Sequence, residues 1–367
     1  MPGLVLPPMA ESRLFKPLRI GNLEVKHRIG MAPLTRFRAT INRVPTPLMK
    51  EYYGQRAAVP GTLIISEATF ISQAGAGGFP YAPGIWSEEQ VSAWKPITDE
   101  VHSKGSYIFC QITALGRTAE VDVVGPSAIP LNESAPMPRA MTIADIKQTI
   151  QDFVTAAENA IRAGFDGIEF HGASGFLIDQ FAQDVSNQRD DEYGGSVENR
   201  SRFIHELMKA VIKSIGPERV ALRLTPWSTL NGMTMENQIP QYEDIIKKAG
   251  QLGLAYLHLI EARLTEDGAF AAGKQLDFAY KAWNGPILVA GGYEPADAQK
   301  LVDKEYPDKQ VVVIFGRHFI SNPDLVYRIK EGLELNAYDR DSFYTIGLAE
   351  GYVDYPFSKE YLASYST

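Results

Sequence analysis

The chain has 367 residues and almost no cysteine: Cys110 stands alone, so no intramolecular disulfide can form. It lacks any apolar run of 18 residues or more, the length a membrane-spanning helix requires. Positive charge is in deficit. Lys and Arg number 36 against 44 Asp and Glu, a formal charge of −8, which argues against nucleic acid or an anionic membrane surface as partner. The opening residues, MPGLVLPPMAESRLF, have no basic cluster and are interrupted by prolines, so a secretory signal is not expected. No low-complexity tract, charge run or Pro/Gly-rich linker divides the chain, which points to one domain over residues 1–367. These absences leave an ordinary globular protein expected in the cytoplasm. Cys110, inside the apolar stretch SYIFCQI, is expected to be a small core residue and not a nucleophile.

What is present is periodic. Short apolar runs recur as RIGMAP (28–33), TLIISEA (62–68), SYIFCQI (106–112), DGIEFH (166–171), RVALRL (219–224), AYLHLI (255–260), PILVAGG (286–292) and VVVIFGR (311–317). Continuous apolar runs suit parallel strands covered on both faces. Helical stretches lie between them. Thr142 and Asp145 form a capping-box pattern ahead of one, and SVENRSRFIHELMKAVIKSIGP reads as another that stops at Gly216-Pro217. Eight alternations predict a (β/α)8 TIM barrel, with a doubly wound open sheet as the alternative. LFKPLRIGNLEVKHR, ahead of the first strand, reads as a short N-terminal hairpin closing the bottom of the barrel. Residues 113–141, rich in proline, form a loop longer than a plain connection needs.

Barrel enzymes place their chemistry at the C-terminal ends of the strands. Those ends carry Pro33-Leu34-Thr35-Arg36, Glu67-Ala68, Gln111, His171 with Ser174, Arg223, Gly291-Gly292 and Gly316-Arg317. Strands that served only a core would end in Val, Ile and Leu, so this convergence of polar groups predicts a binding site. Gly291-Gly292 and Gly316-Arg317, after the seventh and eighth strands, leave backbone N–H groups open to an anion beside an arginine: a phosphate site. Arg223 would point into the mouth, where a guanidinium needs an anionic or electron-rich partner. Neither Lys nor Asp stands at these ends, which disfavours a Schiff-base or metal-dependent lyase, and no metal is expected. His258, in an apolar strand, reads as a satisfied barrel histidine and His318 as structural. DDEYGGSVENR reads as a turn that feeds and caps the next helix.

The words MAPLTR (31–36), YYGQRA (52–57), APGIWSEEQ (82–90), DEYGGSVENR (191–200), FGRHFISNPDL (315–325) and YDRDSFY (338–344) resemble the old yellow enzyme family of flavin-dependent ene-reductases. The resemblance runs over almost the whole chain. It implies a barrel holding FMN non-covalently, NADPH as reductant, and an α,β-unsaturated carbonyl compound as oxidant. It also implies roles. Pro33, Leu34 and Thr35 line the flavin, Ala68 packs on its ring system, and Gln111 meets its pyrimidine edge. Arg223 lies near N1 and the C2 carbonyl, Gly291, Gly292, Gly316 and Arg317 hold the phosphate, and Tyr344 faces the substrate.

In the stretch HGASGF the resemblance breaks. The family grips the substrate carbonyl with a histidine and an asparagine or second histidine, and a tyrosine two residues on donates a proton. Here His171 keeps its place, Ser174 stands at the second donor, and Phe176 stands at the tyrosine. Serine still donates one hydrogen bond; phenylalanine donates none. EYYGQRAAVPGTLIISEAT, HSKGSYIFCQ, AYLHL and DYPFSKEYLA look closer to fungal ergot-alkaloid members than to yeast or plant ones, and those members act on chanoclavine-I aldehyde, an indole enal. The resemblance then implies a redox-neutral isomerisation, with cyclisation to an iminium that a further reductase or oxidase would consume. Thr113, where many relatives have tryptophan, would leave room for a bulky substrate. Three other readings remain: an NADPH ene-reductase whose proton comes from water, Tyr344 or Tyr81; a flavin-free phosphate-ligand barrel; and a non-catalytic flavin carrier.

Overall fold

Each of the eight apolar runs becomes a strand, and each strand pairs in parallel with its neighbours. The computed structural model describes residues 8–261 and 276–364, so part of the stretch read for a secretory signal lies outside the described residues. The strands are Ile29–Met31, Leu63–Ile65, Tyr107–Thr113, Gly167–Gly172, Val220–Leu224, Tyr256–Ile260, Ile287–Ala290 and Val311–Phe315. The eighth strand pairs with the first and the second with the third, which closes the ring and excludes the open sheet.

Why continuous apolar runs are needed is visible in the packing. Phe109, Ala221, Tyr256, Leu288, Val312 and Ile314 form one buried cluster inside the barrel. Their chain neighbours Cys110, Leu222, Leu257, Val289 and Val313 belong to the larger cluster under the helices. Successive strand residues point to opposite faces, so both faces demand apolar side chains. Cys110 is fully buried, and burial pushes its thiol up to about 12, as befits a core residue.

The N-terminal hairpin forms as expected, from Leu18–Ile20 paired antiparallel with Leu23–Val25. Leu18, Ile20 and Val25 join the inner cluster, and the Tyr107 hydroxyl donates to the Glu24 carbonyl at 3.2 Å. The hairpin therefore closes the N-terminal end of the barrel. Its turn requires glycine. Gly21 sits at φ 54°, and a Cβ there would lie 2.1 Å from the Glu218 carbonyl oxygen.

The helix Ile143–Arg162 begins with the predicted capping box between Thr142 and Asp145. The helical run that opens at Ser196 is two pieces, Val197–Arg200 and Arg202–Ile215, and it ends at Gly216, φ 87°. Ser196 caps the first piece by accepting from the Asn199 N–H, so DDEYGGSVENR does serve as turn and cap. The long loop after the third strand carries a small parallel pair, Val124–Gly125 with Arg139–Ala140. No described helix is long and apolar enough to cross a membrane.

Candidate active site

Strand register stacks the polar side chains of the third to sixth strands in two levels. Gln111 pairs with Glu169, Glu169 with Ala221, and Ala221 with Tyr256. One level nearer the C-terminal ends, His171 pairs with Arg223 and Arg223 with His258. Because Gln111, Glu169, His171, Arg223 and His258 alternate with residues of the outer cluster, all five project inward. Gln111, Glu169, His171 and His258 are buried; Arg223 is half-buried, with its Nε enclosed.

Glu169 organises the lower level. Its carboxylate accepts from Gln111 Nε2 at 2.7 Å and lies 2.9 Å from His258 Nδ1. Burial alone would push this carboxyl up, but His258, Arg223 and Gln111 outweigh it and hold it below the ordinary value, so it stays ionised. His258 is a barrel histidine as expected but only half satisfied, since Nδ1 meets Glu169 while Nε2 is buried with no hydrogen-bond partner among the described residues. Burial, then the charges of Arg223 and His258, hold His171 well below the ordinary histidine value. At neutral pH His171 is a neutral ring that donates one hydrogen bond.

After the fourth strand the chain turns through Ser174 at φ 57° and Gly175 at φ 77°, both left-handed. Side chains pin the backbone of this turn. Ser174 N–H donates to Thr225 Oγ1 at 2.8 Å, and its carbonyl accepts from Asn231 Nδ2 at 2.8 Å. Gly175 N–H donates to the Asp179 carboxylate at 2.9 Å, and its carbonyl accepts from Gln180 Nε2 at 2.7 Å. Burial pushes Asp179 up to about 6, although the Tyr242 hydroxyl donates to it at 2.7 Å. Phe176 leans edge-on against the His171 ring, centroids 4.7 Å apart. The opposite side of the mouth holds Pro33, Leu34, Thr35 and Ala68, all half-buried where their strand neighbours are enclosed.

The seventh and eighth strands end in backbone and not in side chains. Gly291 has φ 151° and Gly292 φ 72°, and a Cβ on Gly292 would come within 3.6 Å of Arg317 Nη2. A cavity of about 500 Å³ is lined by Leu34, Gly291, Gly292, Gly316, Arg317 and Tyr344 among others. Arg317 lies over the Tyr338 ring at 5.4 Å and has no ion-pair partner among the described residues. His318 Nε2 meets Glu294 at 3.1 Å, and both residues line this cavity.

Three features have no role assigned from the sequence, although Arg36 and Glu67 stand among the strand-end residues. Glu169 is the first; its signal was a carboxylate two residues before His171 in an apolar strand, hence on the same face. Arg36 and Arg38 are the second. Arg36 donates to the carbonyls of Phe343 at 2.9 Å and Gly351 at 2.7 Å, and Arg38 to Leu348 at 3.0 Å. They strap the segment bearing Tyr344 to the rim; Tyr344 itself is 61% exposed, its ring 5.6 Å from Phe37. The third is Glu67, fully buried, pushed up to about 7 by burial and reached by the Tyr53 hydroxyl at 3.4 Å.

The sequence pattern of the NADH:flavin oxidoreductase / NADH oxidase family matches residues 13–336. The chain belongs to this family, that of old yellow enzyme. An NADP-dependent oxidoreductase of Aspergillus flavus is 50% identical over 95% of this chain and 97% of its own. A chanoclavine-I aldehyde reductase of Penicillium roqueforti is 47% identical over 95% of this chain and 98% of its own. Among solved structures, the old yellow enzyme homologue of Zymomonas mobilis superposes with a TM-score of 0.87 at 39% identity, covering 94% of this chain and 99% of that one. The old yellow enzyme fold and FMN as cofactor follow for this chain.

The mouth fits that cofactor. Arg223 Nε, His171 Nδ1 and Thr113 Oγ1 are buried polar atoms with no hydrogen-bond partner among the described residues, the situation a polar ring edge would relieve. The glycine ends with Arg317 form a cradle that a Cβ on Gly292 would narrow.

Proposed function

We propose that this old yellow enzyme is a redox-neutral isomerase of an indole enal, chanoclavine-I aldehyde, in ergot alkaloid biosynthesis. The observation that carries it is Phe176. Its ring packs against His171, where the family's proton-donating tyrosine would stand, and it has no proton to give. When bound and reduced by NADPH, FMN would be the donor of hydride to the β-carbon of the enal and the acceptor of its return.

His171 and Ser174 do the gripping. The neutral His171 ring donates to the aldehyde oxygen, and the Ser174 hydroxyl, fixed by its pinned turn, donates a second bond directly or through a water. Charge then builds on the carbonyl oxygen as the C=C bond becomes single. With Phe176 in place no side chain protonates the α-carbon, so the enolate persists and the bond rotates. Loss of the hydride restores the double bond in the other geometry. The side-chain amine then reaches the aldehyde and expels water to form an iminium, which a reductase or oxidase of the same pathway would consume. Pro33, Leu34, Thr35, Ala68, Gln111 and Arg223 would hold the flavin ring; Gly291, Gly292, Gly316 and Arg317 its phosphate.

A second reading is a true ene-reductase of the same enal, its proton drawn from water or from the exposed Tyr344 hydroxyl; the name of the Penicillium roqueforti relative favours it. Anaerobic turnover of chanoclavine-I aldehyde, with NADPH oxidation counted against enal converted, separates the two. Far less than one equivalent is expected, and one full equivalent would replace the isomerase with the reductase. Phe176→Tyr is expected to raise the reductive rate ~10²–10⁴-fold and to move the count toward one.

A further inference from the structure

Glu169 is absorbed by none of the roles above, yet it is the carboxylate of the polar ring under the mouth. It is fully enclosed, one level below His171 and Arg223, and it is ionised. Its oxygens are taken by Gln111 and His258, not by Arg223, which makes no hydrogen bond or ion pair among the described residues and whose Nε is buried without a partner. The ring therefore holds the Glu169 carboxylate in contact with His258, one guanidinium, and the neutral His171 ring. Arg223 stands between Glu169 below and the mouth above, and its field is divided between them.

We propose that Glu169 is a positioning residue that sets the reduction potential of bound FMN, by balancing Arg223 from below and by holding Gln111 toward the flavin. This rests on the reading that Arg223 faces the flavin ring. Reduced flavin carries negative charge at that edge. Arg223 stabilises that charge and Glu169 opposes it, because a buried charge acts across a medium that screens far less than water. A full unopposed guanidinium would over-stabilise reduced flavin; the carboxylate keeps the flavin reducing enough to deliver hydride. Gln111, fixed at 2.7 Å, is held for the pyrimidine edge by the same carboxylate.

The test is the midpoint potential of bound FMN, measured by reductive titration against a reference dye, in the wild-type holoenzyme and in Glu169→Gln. The substitution removes the charge but keeps the shape. Its amide oxygen still accepts from Gln111, and its NH₂ donates to His258 Nδ1 once that ring takes its other tautomer. The expected result is a positive shift, with reduced FMN bound at least tenfold more tightly relative to oxidised FMN, about 30 mV for a two-electron couple. A purely structural role would weaken both redox states alike and leave the potential in place; that result overturns the proposal. Should Glu169→Gln fail to fold, Glu169→Met combined with His258→Leu removes the same charge together with its partner, and the same positive shift is expected. Arg223→Gln, run in parallel, locates a failure. A negative shift there with none in the Glu169 variants leaves Arg223 at the flavin and refutes only the role of Glu169. No shift in either refutes the placement of Arg223 and the proposal with it.

Discussion

The two halves of the barrel mouth are built from different materials. Strands three to six present side chains: Gln111, Glu169, His171, Arg223 and His258, enclosed or nearly so, with Glu169 tying Gln111 to His258. Strands seven and eight present backbone, Gly291, Gly292 and Gly316, with Arg317 beside an open cavity. The first half is organised around Glu169 before any ligand arrives, because its carboxylate partners Gln111 and His258. Arg223 Nε and His171 Nδ1 stay buried without a partner among the described residues, at a cost that a ligand would relieve. The second is backbone beside an open cavity and can wait for its ligand. Substitutions in the first half should therefore damage the fold and the chemistry together; substitutions in the second should damage affinity alone.

The sharpest way to break this distinction is Glu169→Ala. It strands Gln111 and His258 and leaves Arg223 without a counter-charge, so about 3–5 kcal/mol of stability should be lost, read from denaturant midpoints. A loss under about 1 kcal/mol would mean that the inner network is not a built unit. Asp179→Asn probes the same half through pH. Asp179 titrates at about 6 in the fold against an ordinary 3.8, so the folded state binds its proton more tightly than the unfolded chain does. Its contribution is complete below about pH 4 and is lost as pH rises through 6, a difference of about 3 kcal/mol. Glu67, pushed up to about 7, slopes in the same direction. The asparagine variant should therefore flatten, not abolish, the fall in stability between pH 4 and pH 7. An unchanged slope would show that Asp179 is ionised throughout.

The same division governs what could be read from the sequence. The glycine ends announced themselves, because a strand that serves only a core has no need of GG or GR directly after its apolar run, and the eight runs themselves disclosed the barrel. His171, Ser174 and Phe176 were legible through their fit and misfit to a family motif. Glu169 was not, since a lone carboxylate in GIEFH acquires meaning only when strand register brings Gln111 and His258 to it from 58 and 89 residues away. Arg36 was visible at a strand end but its role was not, and Arg38 was hidden altogether, for the same reason. Their partners are carbonyls some 300 residues distant, and carbonyls carry no sequence signal. Backbone-built sites are written locally, whereas side-chain networks are written across the fold.

Arg317→Ala tests the other half. Removing one charge-assisted contact to phosphate is worth about 1.5–3 kcal/mol, so FMN should bind roughly 10- to 100-fold more weakly in a fluorescence titration of the apoprotein. The FMN-free protein should unfold within about 1 kcal/mol of wild type, since among the described residues Arg317 gives up its place over the Tyr338 ring and no ion pair. If the apoprotein is instead as destabilised as the Glu169 variant, the two halves do not differ in kind.

The smallest effect lies where the halves meet the substrate. Ser174 is held at φ 57° by Thr225 and Asn231, a conformation that L-residues enter at a cost and asparagine tolerates best. Ser174→Asn should therefore raise the melting temperature slightly, through a gain of less than about 1 kcal/mol. It also lengthens the second donor by one heavy atom, so the KM for the enal should fall while the NADPH count per turnover stays low, because Phe176 still withholds the proton. If the count rises to one equivalent with Phe176 unchanged, the grip and not the missing tyrosine decides whether the enolate is protonated or returns its hydride.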